Sequence, residues 1–386
     1  MTKVRTWVGL DVHVASTVAC VVDADAGELT MHRLGGQTRE LAEFCSGLPE
    51  PARVAYEAGP TGFELARSLE AAGVVCVVAA PGKIERPAAD RVKTDRRDAE
   101  RLVRLLMIGG LHPVRVPSSV EVALRDLVRA REDIRGDLMR ARHRLNKLLL
   151  RHDVRYQDTA STWTVHHRSW LGRVELSEPA AQAALHDYLG AIDALVVRRD
   201  TLERKIAELV PGSPWAGQVA KLRCLRGIDT LSAIGLCSEI GDFNRFDTPA
   251  KLMSYLGLVP SEHTSGQTRR QGAITKSGSR HARRILVEAA WHYRKPPRRG
   301  NTLQQRQQGQ PPDTLAISWK AQQRLHHLWQ RLDSQRGKRR TIVAVAVARH
   351  LAGFCWSITT HNPTTPAQEA ADQAPKQRAR ASTTRL

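Results

Sequence analysis

Four acidic residues in the N-terminal quarter of the chain have the types and spacing needed to bind divalent cations. Asp11 and Glu57 each end an apolar, strand-like stretch, WVGLD and RVAYE, so both are expected to project from the edge of a sheet. Asp95 and Asp98 are three residues apart and would share one face of a helix. Mg²⁺ prefers oxygen ligands, and two such ions can activate a nucleophile and stabilise the leaving oxygen at a phosphodiester. We therefore predict a site for two Mg²⁺ ions on Asp11, Glu57, Asp95 and Asp98.

Each of these acids also has an ordinary structural interpretation. Asp95 and Asp98 would be favourable charges in the first turn of a helix. Asp11 could begin a turn, and Glu57 could pair with a nearby arginine. The metal site is favoured because all four acids occur in a chain whose remaining residues would attract polyanions.

The positive charge of the chain lies outside this acidic segment. The formal net charge is +20, yet residues 1–110 carry 14 Lys and Arg against 15 Asp and Glu. Residues 261–300 contain ten basic residues and two acidic ones. Such a surface gains affinity for polyanions by releasing their counterions, so nucleic acid is the predicted partner. The residues expected to contact it are Arg269, Arg270, Lys276, Arg280, Arg283 and Arg284.

A second set of residues with possible chemistry lies in the same basic region. Ser265 and Gly266 occupy a polar, turn-like segment shortly before Arg269 and Arg270. A serine hydroxyl needs a basic or metal-rich neighbourhood to attack phosphorus, and arginines stabilise the charge that develops on the phosphate. Ser265 could equally be an ordinary turn residue. The spacing does not distinguish it from other hydroxyls nearby, which are Thr264, Thr275, Ser277 and Ser279.

The remaining composition argues against several classes of protein. The six cysteines form no CxxC pair and no cysteine–histidine ligand spacing, which favours free buried thiols in a reducing compartment. The most apolar run, 342–348, is interrupted by Arg349 and His350 and is shorter than the roughly 18 residues that span a membrane. We expect a cytoplasmic protein without a membrane segment.

Alternating strand and helix patterns predict an α/β domain at the N-terminus. Strands are expected at 6–12, 17–22, 29–33, 53–58 and 74–80, and helices at 38–45, 62–72 and 94–107. Three early strands followed by alternating elements indicate a mixed sheet. Thr94 is the expected N-cap of the last of these helices.

The rest of the chain is predicted to be mainly helical. Amphipathic patterns at 120–151 and 179–209 predict two long helices that form an antiparallel hairpin or coiled coil, used either for dimerisation or for intrachain packing. A compact helical unit is expected at 219–290, a polar loop at 300–315 and mostly helix at 318–356. The expected domains are 1–115, 116–212 and 213–358, followed by a disordered polar tail at 359–386.

Two blocks of the sequence resemble a known family. The N-terminal motifs VGLDVH, YEAGPTG and KTDRRDAERL look like the RuvC-like DEDD domain, an RNase H-like fold, of the IS110-type transposases. The block from LRGIDTLSAIGLCSEI to SGSRHARRILVEAAW resembles the C-terminal transposase domain of that family. The resemblance covers nearly everything from Lys3 to about Ile358, in the order and spacing of the family.

The resemblance implies a DNA recombinase that excises and inserts a mobile element. It places the four DEDD carboxylates on Asp11, Glu57, Asp95 and Asp98, with Mg²⁺ bound, and the nucleophilic serine on Ser265. It further implies a homo-oligomer, a dimer or tetramer, in which the acidic site of one subunit is completed by the serine domain of another. An element-encoded RNA would choose the DNA sequence by base pairing. One departure is Gln267, where members of the family often carry a second glycine.

Two other functions remain open at this point. A junction-resolving nuclease would use the four carboxylates and a water molecule, without the serine. A non-catalytic nucleic-acid-binding remnant would use neither, although the intact set of acids argues against it.

Overall fold

A computed structural model describes residues 3–85, 94–157, 162–265 and 268–361, and the side chains of residues 263–269 lie outside that description. The chain divides between Ser118 and Ser119 into two compact units. Unit 1 is α/β and unit 2 is mainly helical, as the sequence predicts. The finer division of unit 2 near residue 212 remains a prediction, and nearly all of the expected polar tail lies outside the described residues.

A mixed sheet forms the centre of unit 1. Its strands are β1 (Thr6–Val12), β2 (Ser16–Asp23), β3 (Leu29–Gly35), β4 (Ala52–Glu57) and β5 (Val75–Ala79), in the order β3-β2-β1-β4-β5. The first three strands pair antiparallel as consecutive hairpins. β4 pairs parallel with β1, and β5 pairs parallel with β4. The predicted strands and the mixed character of the sheet are confirmed.

Helices cover both faces of this sheet. They are α1 (Thr38–Ser46), α2 (Glu64–Ala71) and α3 (Asp95–Met107). One face buries Val8 and Leu10 of β1 in a core with Leu41 of α1 and Leu69 of α2. The other face packs against α3, in a smaller cluster that includes Cys20, Ala99 and Val103. Alternate residues of β1 therefore belong to different layers, since side chains alternate along a strand.

Unit 2 is built from helices of very different length. They are α4 (Ser119–Arg151), α5 (Val165–Leu171), α6 (Pro179–Leu209), α7 (Ala216–Leu222), α8 (Thr230–Ile240), α9 (Pro249–Tyr255), α10 (Arg280–Ala290), α11 (Asn301–Gln307), α12 (Pro312–Gln330) and α13 (Arg340–Thr360). The long helices α4 and α6 pack together as the predicted hairpin. Leu145 and Leu148 of α4 share a core cluster with Leu185 and Ile192 of α6.

The most apolar helix, α13, lies in the main core of unit 2. By length and composition alone it could cross a membrane, because the helix continues past Arg349 and His350. Its residues Val343, Val347 and Leu351 are fully buried in the cluster that also contains α8 and α10. Full burial of such a side chain contributes about 1.5–3 kcal/mol, so packing within the unit accounts for this composition.

Two local predictions for unit 2 were wrong. Residues 300–315 contain α11 and the first turn of α12, although this stretch was expected to be a loop. The polar segment after α9 is a β-hairpin of β6 (Pro260–Ser265) and β7 (Thr268–Ile274), within the stretch 219–290 that was expected to be helical. The sequences of these two strands, PSEHTS and TRRQGAI, are polar almost throughout and lack the apolar alternation that identifies a half-buried strand.

Candidate metal centre and serine-bearing hairpin

Two of the predicted metal ligands lie at the ends of neighbouring parallel strands. The register of β1 and β4 pairs Leu10 with Tyr56, so Asp11 and Glu57 follow at the same level. Both residues are half-buried. Because opposed residues of a sheet point to the same face, both belong to the face on which α3 packs.

Gly9 allows α3 to pack directly on β1. A Cβ atom at this position would lie 2.2 Å from the carbonyl oxygen of Ala99 and 2.6 Å from the amide nitrogen of Val103. Both of those atoms are backbone, and neither can move without displacing the helix. Any larger residue at position 9 would therefore push α3 away from the strand that carries Asp11.

The first turn of α3 supplies the other two predicted ligands. Thr94 caps the helix, as predicted, by accepting a hydrogen bond from the amide of Arg97. Asp95 is the first helical residue and is exposed, whereas Asp98 is buried with 8% of its surface accessible. Asp98 Oδ1 accepts a hydrogen bond of 2.9 Å from Arg101.

Three side chains converge above the end of β1. Donor atoms of Asp11, His13 and Asp95 all lie within 4.8 Å of one another. His13 Nε2 is 3.3 Å from Asp11 Oδ2 and 3.7 Å from Asp95 Oδ1. Among the described residues, Glu57 and Asp98 lie outside this three-residue cluster.

Burial and neighbouring acids dominate the electrostatics of Asp11. Burial raises its pKa, and the neighbouring Asp95 and Asp98 raise it further, against an opposing effect of His13. Asp11 Oδ2 is buried and, apart from the nearby His13, has no hydrogen-bond partner among the described residues. A divalent cation would satisfy this oxygen and offset the repulsion between the acids, so the donor set fits a metal ion.

Two residues of this centre were not predicted. His13 was visible in the motif VGLDVH, two positions after Asp11 and therefore on the same side of an extended strand. Gly9 was visible as a glycine inside an apolar strand, a signal for the close approach of another backbone.

The predicted nucleophile, Ser265, is the last residue of β6. Its backbone pairs with Thr268, and Thr264 pairs with Arg269. The side chains of Ser265 and Arg269 lie outside the described residues, as do Gly266 and Gln267 entirely. Ser265 therefore belongs to the end of an extended ribbon.

Two glycines hold the base of this hairpin close to α9. A Cβ atom at Gly257 would lie 2.3 Å from the carbonyl oxygen of Ser277, and one at Gly278 would lie 2.1 Å from that of Tyr255. The amide of Lys276 donates to the carbonyl of Gly257 over 3.1 Å. The segment that joins β7 to α10 is thus fixed by backbone contacts.

The predicted nucleic-acid contacts divide into two groups. Arg270, Lys276 and Arg280 are exposed. Arg283 instead donates through one nitrogen to the carbonyls of Leu256, Ser277 and Gly278. Arg284 forms ion pairs with Glu132 of α4 and Glu288 of α10. The last two arginines therefore have structural contacts within the unit.

Buried carboxylates connect α10 to the long helix α4. Burial alone would raise the pKa of Glu132, but Arg284 and other cations outweigh it and lower the pKa below its ordinary value. Glu239 of α8 pairs with Arg129 of α4 at 2.9 Å and accepts a hydrogen bond of 2.8 Å from Ser279. Although burial opposes it, these contacts lower the pKa of Glu239 as well.

Comparisons with known proteins agree with this arrangement. A family model of IS110-type DEDD transposases, described as a transposase, matches residues 8–152. A second, described as the transposase IS116/IS110/IS902 family, matches residues 219–303. The acidic centre lies within the first match, and the hairpin and α10 lie within the second.

Whole proteins of this kind are similar over most of the chain. A putative transposase, y4qE, from Sinorhizobium fredii is 43% identical over 78% of this chain and 74% of its own length. The transposase for insertion sequence element IS1533 of Leptospira borgpetersenii is 32% identical over 87% of this chain and 99% of its own length. The chain therefore belongs to the IS110 family of transposases.

Proposed function

We propose that this transposase excises and inserts a mobile element by Mg²⁺-assisted, serine-mediated cleavage and rejoining of DNA. Asp11, Glu57, Asp95 and Asp98 hold two Mg²⁺ ions in an RNase H-like unit 1. Ser265 is the nucleophile in unit 2. The observation that carries the metal assignment is the convergence of Asp11, His13 and Asp95, with a buried oxygen of Asp11 that, apart from the nearby His13, has no hydrogen-bond partner among the described residues.

Each side chain of unit 1 has a separate role in this proposal. Asp11 and Asp95 supply carboxylate oxygens, and His13 orients the carboxylate of Asp11. Glu57 and Asp98 complete the set from the adjacent strand and the adjacent helical turn. Bound Mg²⁺ would stabilise the charge that develops on the phosphate oxygens during attack.

The proposed serine step conserves the phosphodiester bond energy. Ser265 Oγ forms a bond to phosphorus, the bond from phosphorus to one deoxyribose oxygen breaks, and the serine proton passes to that oxygen. A strand-end hydroxyl then attacks the phosphorus: its oxygen–phosphorus bond forms, the bond from phosphorus to Ser265 Oγ breaks, and the proton of the attacking hydroxyl passes to Ser265 Oγ, which restores the free serine. No oxidant, nucleotide cofactor or net hydrolysis is required.

Two of the neighbouring hydroxyls have structural roles. Ser279 caps α10 by accepting from the amide of Ala282 and donates to Glu239. Ser277 donates to the carbonyl of Ser254. These contacts would have to break before either oxygen attacked phosphorus, which argues against Ser277 and Ser279 as the nucleophile.

DNA and RNA partners complete the proposal. Arg269, Arg270, Lys276 and Arg280 contact the DNA backbone, while Arg283 and Arg284 position the hairpin and α10. An element-encoded RNA selects the sequence, as the family resemblance implies. The chain acts as a homo-oligomer.

Trapping of a covalent adduct tests the chemistry. Purified protein, Mg²⁺, the RNA of the element and a labelled junction DNA are mixed and denatured in SDS. We expect a protein–DNA adduct that is lost in Ser265→Ala and in Asp11→Ala but persists in Ser261→Ala. Free cleaved ends without an adduct, unchanged in Ser265→Ala, would instead establish a nuclease that uses water.

Mixing of inactive variants tests the shared active site. Asp11→Asn and Ser265→Ala proteins are each expected to be inactive alone. If the acidic site of one subunit works with the serine of another, a mixed oligomer retains one intact pair and regains adduct formation. Continued inactivity of verified mixed oligomers would show that both residues must come from the same chain.

A further inference from the structure

The charge of the long helix α4 changes along its length. Its five acidic residues all lie at or before Asp137. The segment that follows, 138–151, contains no acidic residue. Its basic residues are Arg140, Arg142, Arg144, Lys147 and Arg151. The two halves of one helix therefore present different electrostatic surfaces.

Four of these basic residues form a single row, which we call the α4 stripe: Arg140, Arg144, Lys147 and Arg151. Their spacing of four, three and four residues places them within about 60° of one another around the helix axis. At 1.5 Å per residue the row is about 16 Å long. All four side chains are exposed.

Most of the α4 stripe lacks counter-charges. Within the described part of the chain, the side chains of Arg144, Lys147 and Arg151 form no ion pair or hydrogen bond, while Arg140 pairs with Asp137. The first half of α4 differs, because Arg129 pairs with Glu239 and Arg135 with Glu132. The arginines near α8 and α10 therefore stabilise the fold, whereas the stripe is available to a ligand.

The backbone beneath the stripe is held by packing. Leu145, Leu148 and Leu149 are buried against α6 and the segment that joins the two long helices. The guanidinium of Arg142, within α4, lies 4.4 Å from the ring centre of Trp163 in the segment that follows the helix. A helix end fixed in this way presents its cations in a constant geometry, which reduces the entropy lost when a ligand binds.

We infer that the α4 stripe binds the sugar–phosphate backbone of duplex DNA. This inference concerns binding alone and deepens the proposed function by naming a second contact with the same partner. A straight row of cations, three of them without an ion pair among the described residues, matches a regular row of phosphates, which such side chains contact irrespective of base sequence. DNA is preferred to RNA because transposition requires a DNA substrate.

The length of α4 also sets the distance between the DNA contact at the stripe and the DNA bound beside α10. Glu132, which touches α10 through Arg284, is 12 residues before Arg144 and 19 before Arg151. These separations correspond to about 18 and 28 Å along the helix. The stripe would therefore meet the DNA roughly five to eight base pairs from the segment bound beside α10.

Salt-dependent binding with a matched control tests this inference. The full chain carries Ser265→Ala, so that no covalent chemistry occurs, and binds a labelled DNA duplex at several salt concentrations. Arg144→Ala/Lys147→Ala/Arg151→Ala is compared with a control on α6. That control, Arg198→Ala/Arg204→Ala/Lys205→Ala, also removes three exposed positive charges.

The stripe variant should lose roughly two to three units of the slope of log affinity against log salt, since each phosphate contact contributes about 0.9. Its affinity at low salt should fall at least about tenfold, with an unchanged melting temperature and little effect in the control. Equal losses in both triple variants would overturn the inference in favour of a general charge effect. Unchanged DNA binding by the stripe variant would also overturn it, and if the same variant loses affinity only for the RNA of the element in a parallel titration, the stripe binds RNA instead. Neither result depends on Ser265, so failure of the adduct experiment and failure of this one are distinguishable.

Discussion

The acidic centre of unit 1 and the basic surface of unit 2 concentrate charge in different ways. In unit 1, packing of α3 across Gly9 brings Asp95 and Asp98 towards the half-buried Asp11. In unit 2, Glu132 and Glu239 are paired with arginines, and the cations of the α4 stripe lie on an exposed face.

This difference indicates what each region binds. Like charges held together at a partly buried position are costly unless a counter-ion joins them. Exposed cations in a row cost little and are screened by solvent until a polyanion displaces their counterions. We therefore expect unit 1 to bind a small cation and unit 2 to bind a long anion.

The largest expected effect comes from removing one ligand charge in unit 1. Asp11→Asn should reduce DNA cleavage on the order of 10³-fold, because metal assistance contributes several kcal/mol to the transition state and about 1.4 kcal/mol is a factor of ten. DNA affinity should change little. Asp25→Asn, which alters an exposed acid paired with Lys3, is the control. Comparable cleavage rates for the two variants would show that Asp11 is not a ligand of the catalytic metal.

The close approach of α3 to β1 can be tested by stability. Gly9→Ala should lower the free energy of unfolding by about 1–3 kcal/mol, since the new methyl group meets backbone atoms that cannot yield. Gly82→Ala is the control, because a Cβ atom there has nothing within 4 Å. Urea unfolding measures both variants. Equal stability would mean that Gly9 does not set the position of α3.

A smaller effect, on the stability of unit 2, is expected when the pH is lowered. Burial lowers the pKa of His281, which faces Glu132, Glu239, Arg284 and Arg129. The folded state therefore favours neutral imidazole, and stability is lost as pH falls below the ordinary histidine value of about 6.5 towards the lower folded pKa. One histidine contributes at most about 1.4 kcal/mol per pH unit.

His281→Gln isolates this contribution from that of the other histidines. Denaturation curves between pH 7.5 and 5.5 should have a shallower pH dependence in the variant than in the natural chain. The lowered pKa values of Glu132 and Glu239 act at more acid pH, where their stabilisation is lost as pH falls below about 4.5. Identical slopes above pH 5.5 would contradict a neutral His281 in the folded state.

Much of the fold follows from local sequence patterns. The helix α6 begins and ends at the predicted residues, and α4 begins one residue early, because long amphipathic repeats define both. The segment 301–307 was expected to be a loop because it is polar, lies between glycines and precedes two prolines. Only Leu303 and Gln307 of α11 are buried, which is too short a pattern to recognise.

The acidic centre was predictable in part for the same reason. Strand-end acids and an acidic helical turn are local features, and the sequence places Asp11, Glu57, Asp95 and Asp98 on such elements. The roles of His13 and Gly9 depend on where α3 crosses β1, which no local pattern specifies. The serine hairpin was missed because cross-strand pairing of the backbone, rather than apolar alternation, forms it.

Binding of Mn²⁺ to the DNA-bound protein tests the cation site most directly. Ser265→Ala protein, which keeps DNA uncut, is titrated with Mn²⁺ and junction DNA, and bound metal is measured by electron paramagnetic resonance. The Ser265→Ala/Asp11→Asn protein is the control. Both samples contain the same DNA, so Mn²⁺ bound by the DNA itself contributes equally to the two measurements. We predict two bound ions that are lost or greatly weakened when Asp11 is changed. Equal Mn²⁺ binding by the two proteins would contradict the assignment of unit 1 as the metal centre.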